Sequence, residues 1–290
     1  MSWRVVCVSG VAKLDLKFGF MVVRKDEISK VAINEIATVI IDSTAVSLTT
    51  ALLNEFMKKK IKVIFCDEKH NPSSELMSYY GSHDSSLKIK EQITWNKDIK
   101  ELVWTKIVKF KIIKQKALLE KLGFEKEANL LQGYISELIL NDTTNREGHA
   151  AKVYFNALFG MKFSRDDDNP TNSALNYGYS LLLSSFNKEI SANGYITQLG
   201  LFHDNRFNPF NLASDLMEIF RPIVDEIVLN LASNNFAKDE KIKILTIFNK
   251  KVFIAKKEHF LPNAISIYTK SIFEALNNGD ENLLEIYDEF

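Results

Sequence analysis

The hydrophobic periodicity of this chain changes once, and that change limits what it can fold into. Over roughly the first 75 residues, apolar positions alternate at period two, the pattern of half-buried strands. The segments "WRVVCVS", "AKLDLKFG", "FMVVRK", "ISKVAI" and "ATVIID" are short, β-branched and separated by glycine or charged turns. One interruption, "SLTTALLNEFMKKK", places Leu48, Leu52, Leu53 and Phe56 at helical spacing behind Ser47, a residue able to cap. "IKVIFCD" then returns to strand. From about residue 88 onward apolar residues recur at three and four, as in Leu175, Tyr179, Leu182, Leu183 and Phe186. The expected fold class is α+β. Residues 1–76 form a small, sandwich-like β-rich domain with one helix, residues 77–90 a linker, and residues 91–290 an all-helical domain. The linker expectation rests on "DEKHNPSSELMSYYGSHDSS", with turn signals at Asn71-Pro72 and Gly81 around a short "ELMSYY" strand.

Composition excludes some classes. Hydrophobic residues make up 46% of the 290, enough for a packed core in each part. Lys+Arg and Asp+Glu both number 37, so net charge identifies no partner and only its distribution can. From Lys88 to Leu130 eleven lysines stand against six acids, while residues 140–225 hold seven bases and ten acids. A basic helix beside an acid-rich segment suits a metal-dependent nucleic-acid enzyme, and it equally suits a solvated lysine-rich helix. Cys7 and Cys66, each in an apolar run, read as buried thiols of a reducing cytosol rather than a disulfide or zinc framework. "MSWRVVCVSG" lacks the pattern of a signal peptide, and no apolar run is long enough to span a membrane. The expectation is a soluble, cytoplasmic protein. No phosphate-binding glycine loop and no G-x-S-x-G elbow is present, which disfavours P-loop and serine-hydrolase chemistry.

Three segments carry residues capable of chemistry. In "LGLFHDNRFNPFNLASDLMEIFRP" His203 ends an apolar run and a helix is expected from Asn211, read as its N-cap. Asp215 and Glu218 lie three apart, as do Glu218 and Arg221, so the pattern fits either an intrahelical ion pair or a metal site. Pro222 kinks or ends that helix. In "TNREGHAAKVYFNALFG" Thr144 and Glu147 match a capping box, which explains the acid without catalysis but leaves Gly148 unexplained inside a helix. "RDDDNP" reads as a solvated loop, because three consecutive acids cannot converge on one ion. His70, His83 and His259 read as exposed, and His149 points away from Glu147.

In this order and spacing, "REGHAAKVYFNALFG", "NPTNSALNYGYSLLLSSF" and "LGLFHDNRFNPFNLASDLMEIFRP" resemble the CRISPR-associated integrase of spacer acquisition, the larger universal adaptation protein. The form of "FHDNRFNP" is most similar to the type II branch. The resemblance covers the whole chain and implies a single metal site of Glu147, His203 and Glu218. Glu218 stands where much of the family has Asp, and Asp215 is either a supporting or an alternative acid. It implies Mg²⁺ or Mn²⁺ and a transesterification that joins the 3′-hydroxyl of a short DNA fragment to a repeat boundary. The implied partners are double-stranded DNA, a second copy bound through the β-rich domain, and a small ferredoxin-like adaptation protein. In the type II branch other adaptation proteins and the RNA-guided effector nuclease join them. Candidate DNA contacts are Lys106, Lys109, Lys116, Arg146, Arg206 and Arg221. The alternative reading is a DNA-binding scaffold subunit without catalysis.

Overall fold

The computed structural model describes residues 4–77, 82–231 and 235–288. It divides into two compact units, Met1–His83 and Asp84–Phe290.

The first unit is β-rich, built from two four-stranded sheets. β1 (Arg4–Val8), β5 (Ile36–Ile41), β7 (Lys62–Cys66) and β8 (Pro72–Leu76) form one, in the order β1-β5-β7-β8. β4 (Ile28–Ala32), β3 (Phe20–Arg24), β2 (Ala12–Lys17) and β6 (Val46–Leu48) form the other. All six residues of β5, "IATVII", are buried, and the strand runs parallel to both β1 and β7. Parallel central strands carry continuous β-branched runs because both faces are covered. Leu14 and Met21 from one sheet, Val39 and Val63 from the other, and Leu52 and Phe56 of α1 (Thr50–Lys58) share the core.

Four local expectations change here. Thr49, not Ser47, caps α1, its hydroxyl accepting from the Leu52 N–H, because Val46–Leu48 is taken up pairing with β2. The last strand is Pro72–Leu76 in place of "ELMSYY", set by its register against β7; residues 78–80 lie outside the described residues. The expected linker 77–90 overlaps a helix, α2 (Ser85–Ile93), which is anchored through buried Gln92. Cys66 is buried, but Cys7 is exposed, because its neighbour Val8 turns into the core and successive strand residues face opposite sides.

The second unit is helical. Its framework is α3 (Lys97–Lys121), α4 (Glu125–Ser136), α5 (Arg146–Phe159), α6 (Pro170–Ala192), α7 (Asn211–Leu216), α8 (Arg221–Leu231), α9 (Lys238–Leu245) and α10 (Leu261–Asn278). α6 is buried on nearly every side, and Leu175, Tyr179, Leu182 and Phe186 all face the interior. One hairpin interrupts the helices: β9 (Lys251–Ile254) pairs antiparallel with β10 (Lys257–Phe260). Its two-residue turn, Ala255-Lys256, holds both residues at positive φ, the geometry of a type I′ turn without the usual Asn or Gly. Among the described residues no helix is long and apolar enough to cross a membrane.

Candidate metal centre

Three elements of the helical unit meet at one lysine. Lys111 lies on the apolar stripe of α3, in series with Trp104, Ile107, Val108 and Leu118, and is buried with them. Its Nζ donates to Glu147 Oε1 at 2.5 Å and to Glu218 Oε2 at 2.5 Å. Glu147 comes from the first turn of α5, and Glu218 opens the 3₁₀ turn Glu218–Phe220 between α7 and α8. The other Glu218 oxygen, Oε1, accepts from Arg221 Nη2 at 2.9 Å. Arg221 also lies 4.6 Å over the Tyr179 ring. Burial works against both charges. It lowers the pKa of Lys111, yet Glu218 and Glu147 hold it above its ordinary value. It raises that of Glu218, yet Arg221 and Lys111 hold it below the usual carboxylate range.

His203 is placed by Asp215. The buried Asp215 carboxylate accepts the backbone N–H of Leu201 at 2.6 Å and those of Phe202 and His203 at 3.1 Å each. It also meets His203 Nδ1 at 2.5 Å. A carboxylate only accepts, so Nδ1 carries the hydrogen toward Asp215 and Nε2 is the nitrogen that faces away from it. The Asp215 hydrogen bond raises the His203 pKa against the lowering effect of burial, and the charges of Asp215, Glu218 and Glu147 add to the rise. Trp104 presents its ring edge-on to His203 at 5.8 Å and stacks on Phe202 at 4.7 Å.

The loop before α7 is fixed at both ends. Gln92 exchanges hydrogen bonds with the Ile196 backbone and donates to the Leu199 carbonyl at 3.2 Å. Asn211 does not cap α7, since Phe210 holds that position. Its amide instead donates to the Gln198 and Asn205 carbonyls at 3.1 Å each. Gly200 is required: a Cβ there would lie 2.3 Å from the His203 carbonyl oxygen and 2.7 Å from Asp215 Oδ2.

The capping box predicted at Thr144 and Glu147 does not form. Asn145 caps α5 through the Gly148 N–H at 3.2 Å, and Asp142 accepts from the N–H groups of Arg146 and Glu147. Glu147 is thereby left to face Lys111. Gly148 has a local explanation, because a Cβ would stand 2.6 Å from the Asn145 cap oxygen.

The candidate DNA contacts scatter. Lys106 bonds the Glu281 carbonyl and Asn282, Lys116 pairs with Glu120, and Arg146 pairs with Glu137 at 3.0 Å. Arg221 is committed to Glu218. Lys109 is exposed, and Arg206 lies in the loop after His203, 5.7 Å from the ring of exposed Phe207. The "RDDDNP" acids Asp167 and Asp168 are exposed, and Arg165 turns to Asn172 and Asn176.

Two groups near the site were not anticipated as part of it. Lys111, one of the eleven lysines of the basic segment, is not among the candidate contacts above, although its place on the apolar stripe is itself a signal, since a buried lysine requires acids. Asp225 on α8 is also buried, accepting from the hydroxyls of Tyr154 at 3.0 Å and Tyr179 at 2.5 Å. Burial pushes it up to about 6, against the pull of those two hydrogen bonds.

Among the described residues no group of three or more His, Cys, Asp or Glu side chains closes on one point; Glu147 and Glu218 meet on the Lys111 ammonium, and His203 meets Asp215. This is a two-unit protein, β-rich then helical, with a Glu147–Lys111–Glu218 ion-pair cluster and an Asp215–His203 pair on the helical unit. The profile of the family described as CRISPR associated protein Cas1 matches residues 9–258, and the chain belongs to that family. It is 34% identical over 241 residues to the CRISPR-associated endonuclease Cas1 of Neisseria meningitidis serogroup C, covering 83% of this chain and 79% of that one. A casposase bound to integration product shares the fold, with TM-score 0.76 and 19% identity over 97% of this chain and 92% of that one. So does a Cas6-RT-Cas1–Cas2 complex, with TM-score 0.73 and 17% identity; there 99% of this chain is covered, but only 36% of the larger one.

Proposed function

We propose that this chain is a metal-dependent DNA integrase and endonuclease of CRISPR adaptation, joining 3′-hydroxyl ends of short DNA fragments to a repeat boundary. The observation that carries this reading is the meeting of Glu147 and Glu218 on one cation, Lys111, within the field of an Asp215-oriented His203. The donor set fits a divalent ion. Two carboxylate oxygens already share one positive charge, and His203 has its Nδ1 occupied and its Nε2 available. Glu147, Glu218 and His203 would hold Mg²⁺ or Mn²⁺, the imidazole favouring Mn²⁺. Bound there, the ion would polarise a phosphodiester oxygen and stabilise the charge of an in-line displacement.

The chain's own residues do the rest. Asp215 fixes the tautomer and aim of His203, and Arg221 holds the second oxygen of Glu218. Exposed Lys109 and Arg206 are the candidates best placed to reach phosphates. Partners follow from the relatives, one of which is solved in a complex with a Cas2 protein. We extend such a partner to this chain, together with a homodimer through the β-rich unit. Phe18 and Ile28 expose apolar surface there, at 90% and 60% accessibility.

A catalytically inert DNA scaffold is the second reading. It is favoured by one observation, that Lys111 and Arg221 already neutralise Glu218. Strand transfer of a labelled DNA fragment into a supercoiled repeat plasmid separates the two readings. The assay is run with the small partner and with Mn²⁺, Mg²⁺ or chelator. Product that needs metal and disappears in Glu147→Gln, His203→Ala and Glu218→Gln supports the integrase; product that survives all three refutes it.

A further inference from the structure

Lys111 is an unusual neighbour for a metal site. A buried ammonium is stable only where acids surround it, and here both acids are the ones proposed to hold the ion. A divalent cation held by Glu147 and Glu218 would compete with this ammonium for the same two carboxylates, whose Oε1 and Oε2, respectively, the ammonium now holds. Neither oxygen can serve both at full strength. Arg221 does not compete in the same way, because it takes the far oxygen of Glu218.

We propose that Lys111 is the built-in counter-cation of the site: it keeps Glu147 and Glu218 together in the metal-free protein, and a divalent ion binds by displacing it. This rests on the metal-site reading above. The exchange balances, since the ammonium keeps its protons and leaves the carboxylates while the ion takes them. The consequence is weakened metal affinity in exchange for a pre-assembled site. Each charge-assisted hydrogen bond surrendered lowers the binding constant on the order of tenfold.

The test is Mn²⁺ binding by calorimetry, with the free ion followed by electron paramagnetic resonance, at about pH 8 so that carboxylates stay ionised. The proteins are wild type, Lys111→Met, Lys111→Arg and Glu147→Gln, each also melted with and without Mn²⁺. The expected result is that Lys111→Met melts lower without metal, binds Mn²⁺ at least about tenfold tighter, and gains more melting temperature from it. Lys111→Arg, which keeps the charge, stays near wild type. Equal or weaker Mn²⁺ binding by a folded Lys111→Met overturns the inference. Should Lys111→Met fail to fold, the wild-type protein decides alone. The ¹⁵N ammonium signal of Lys111, sheltered from exchange without metal, must lose that shelter on adding Mg²⁺, and unchanged shelter at saturation overturns the inference. A wild type with no Mn²⁺ binding that Glu147→Gln abolishes is a different failure, which sinks the metal site itself.

Discussion

Replacing Asp215 with Asn changes one atom and tests how His203 is aimed. In the native site Oδ2 accepts from Leu201 and Phe202, while Oδ1 accepts from the His203 N–H and meets its Nδ1. Asparagine offers one oxygen. With that oxygen toward Leu201 and Phe202, its NH₂ faces the His203 N–H, which loses its acceptor at about 1–3 kcal/mol. The two retained bonds fall from charge-assisted to neutral, about 1 kcal/mol each. The sum is about 3–5 kcal/mol, which for a domain of this size lowers the melting temperature by roughly 10 °C. The NH₂ also donates to Nδ1, so the imidazole hydrogen moves to Nε2 and the ligand lone pair is lost. The assay pairs a calorimetric melt with ¹⁵N shifts of the His203 ring at about pH 8.5, where the ring is neutral enough to report its tautomer. Metal affinity should fall about 10- to 100-fold. A melting temperature within about 2 °C of wild type, with the hydrogen still on Nδ1, would refute this account of the loop.

Other perturbations read different parts of the site. Gly200→Ala forces a Cβ onto the His203 carbonyl and should destabilise by about 2 kcal/mol or more, measured by urea unfolding. The folded protein holds the Asp225 proton more tightly than the unfolded chain. Its contribution to stability is therefore full below the ordinary value of 3.8 and lost as pH rises through about 6. Asp225→Asn should remove that fall, on the order of 3 kcal/mol, from a comparison of unfolding at pH values across the window. The raised pKa of His203 acts in the same direction at higher pH. Its stabilisation is full below 6.5 and lost as pH rises through the elevated value, whereas Mn²⁺ binding weakens as pH falls through it. His203→Gln should abolish both dependences in melts and metal titrations.

The fold was legible wherever burial follows a simple period. β7 reads as a strand because its apolar run is continuous, β5 from a short β-branched segment, and α6 reads as a helix from Leu175 to Phe186. The hairpin β9–β10 was not, because Ala255 and Lys256 adopt a turn that favours Asn and Gly, stabilised by strand pairing instead. Ser47 and Asn211 have capping chemistry, but a competing partner claims each: a neighbouring strand for one, loop carbonyls for the other. At the site, the Glu218–Arg221 pair followed from spacing, and a supporting place for Asp215 from the family resemblance. Lys111 and Asp225 did not, because their partners lie on other helices and no local pattern records a contact 107 residues away.

The most direct test of the central claim is anomalous diffraction from crystals soaked in Mn²⁺. The account predicts one peak touching Glu147, Glu218 and Nε2 of His203, with the Lys111 ammonium moved off the two carboxylates. Crystals saturated with Mn²⁺ that show no peak there, and leave Lys111 bridging Glu147 and Glu218, would contradict it.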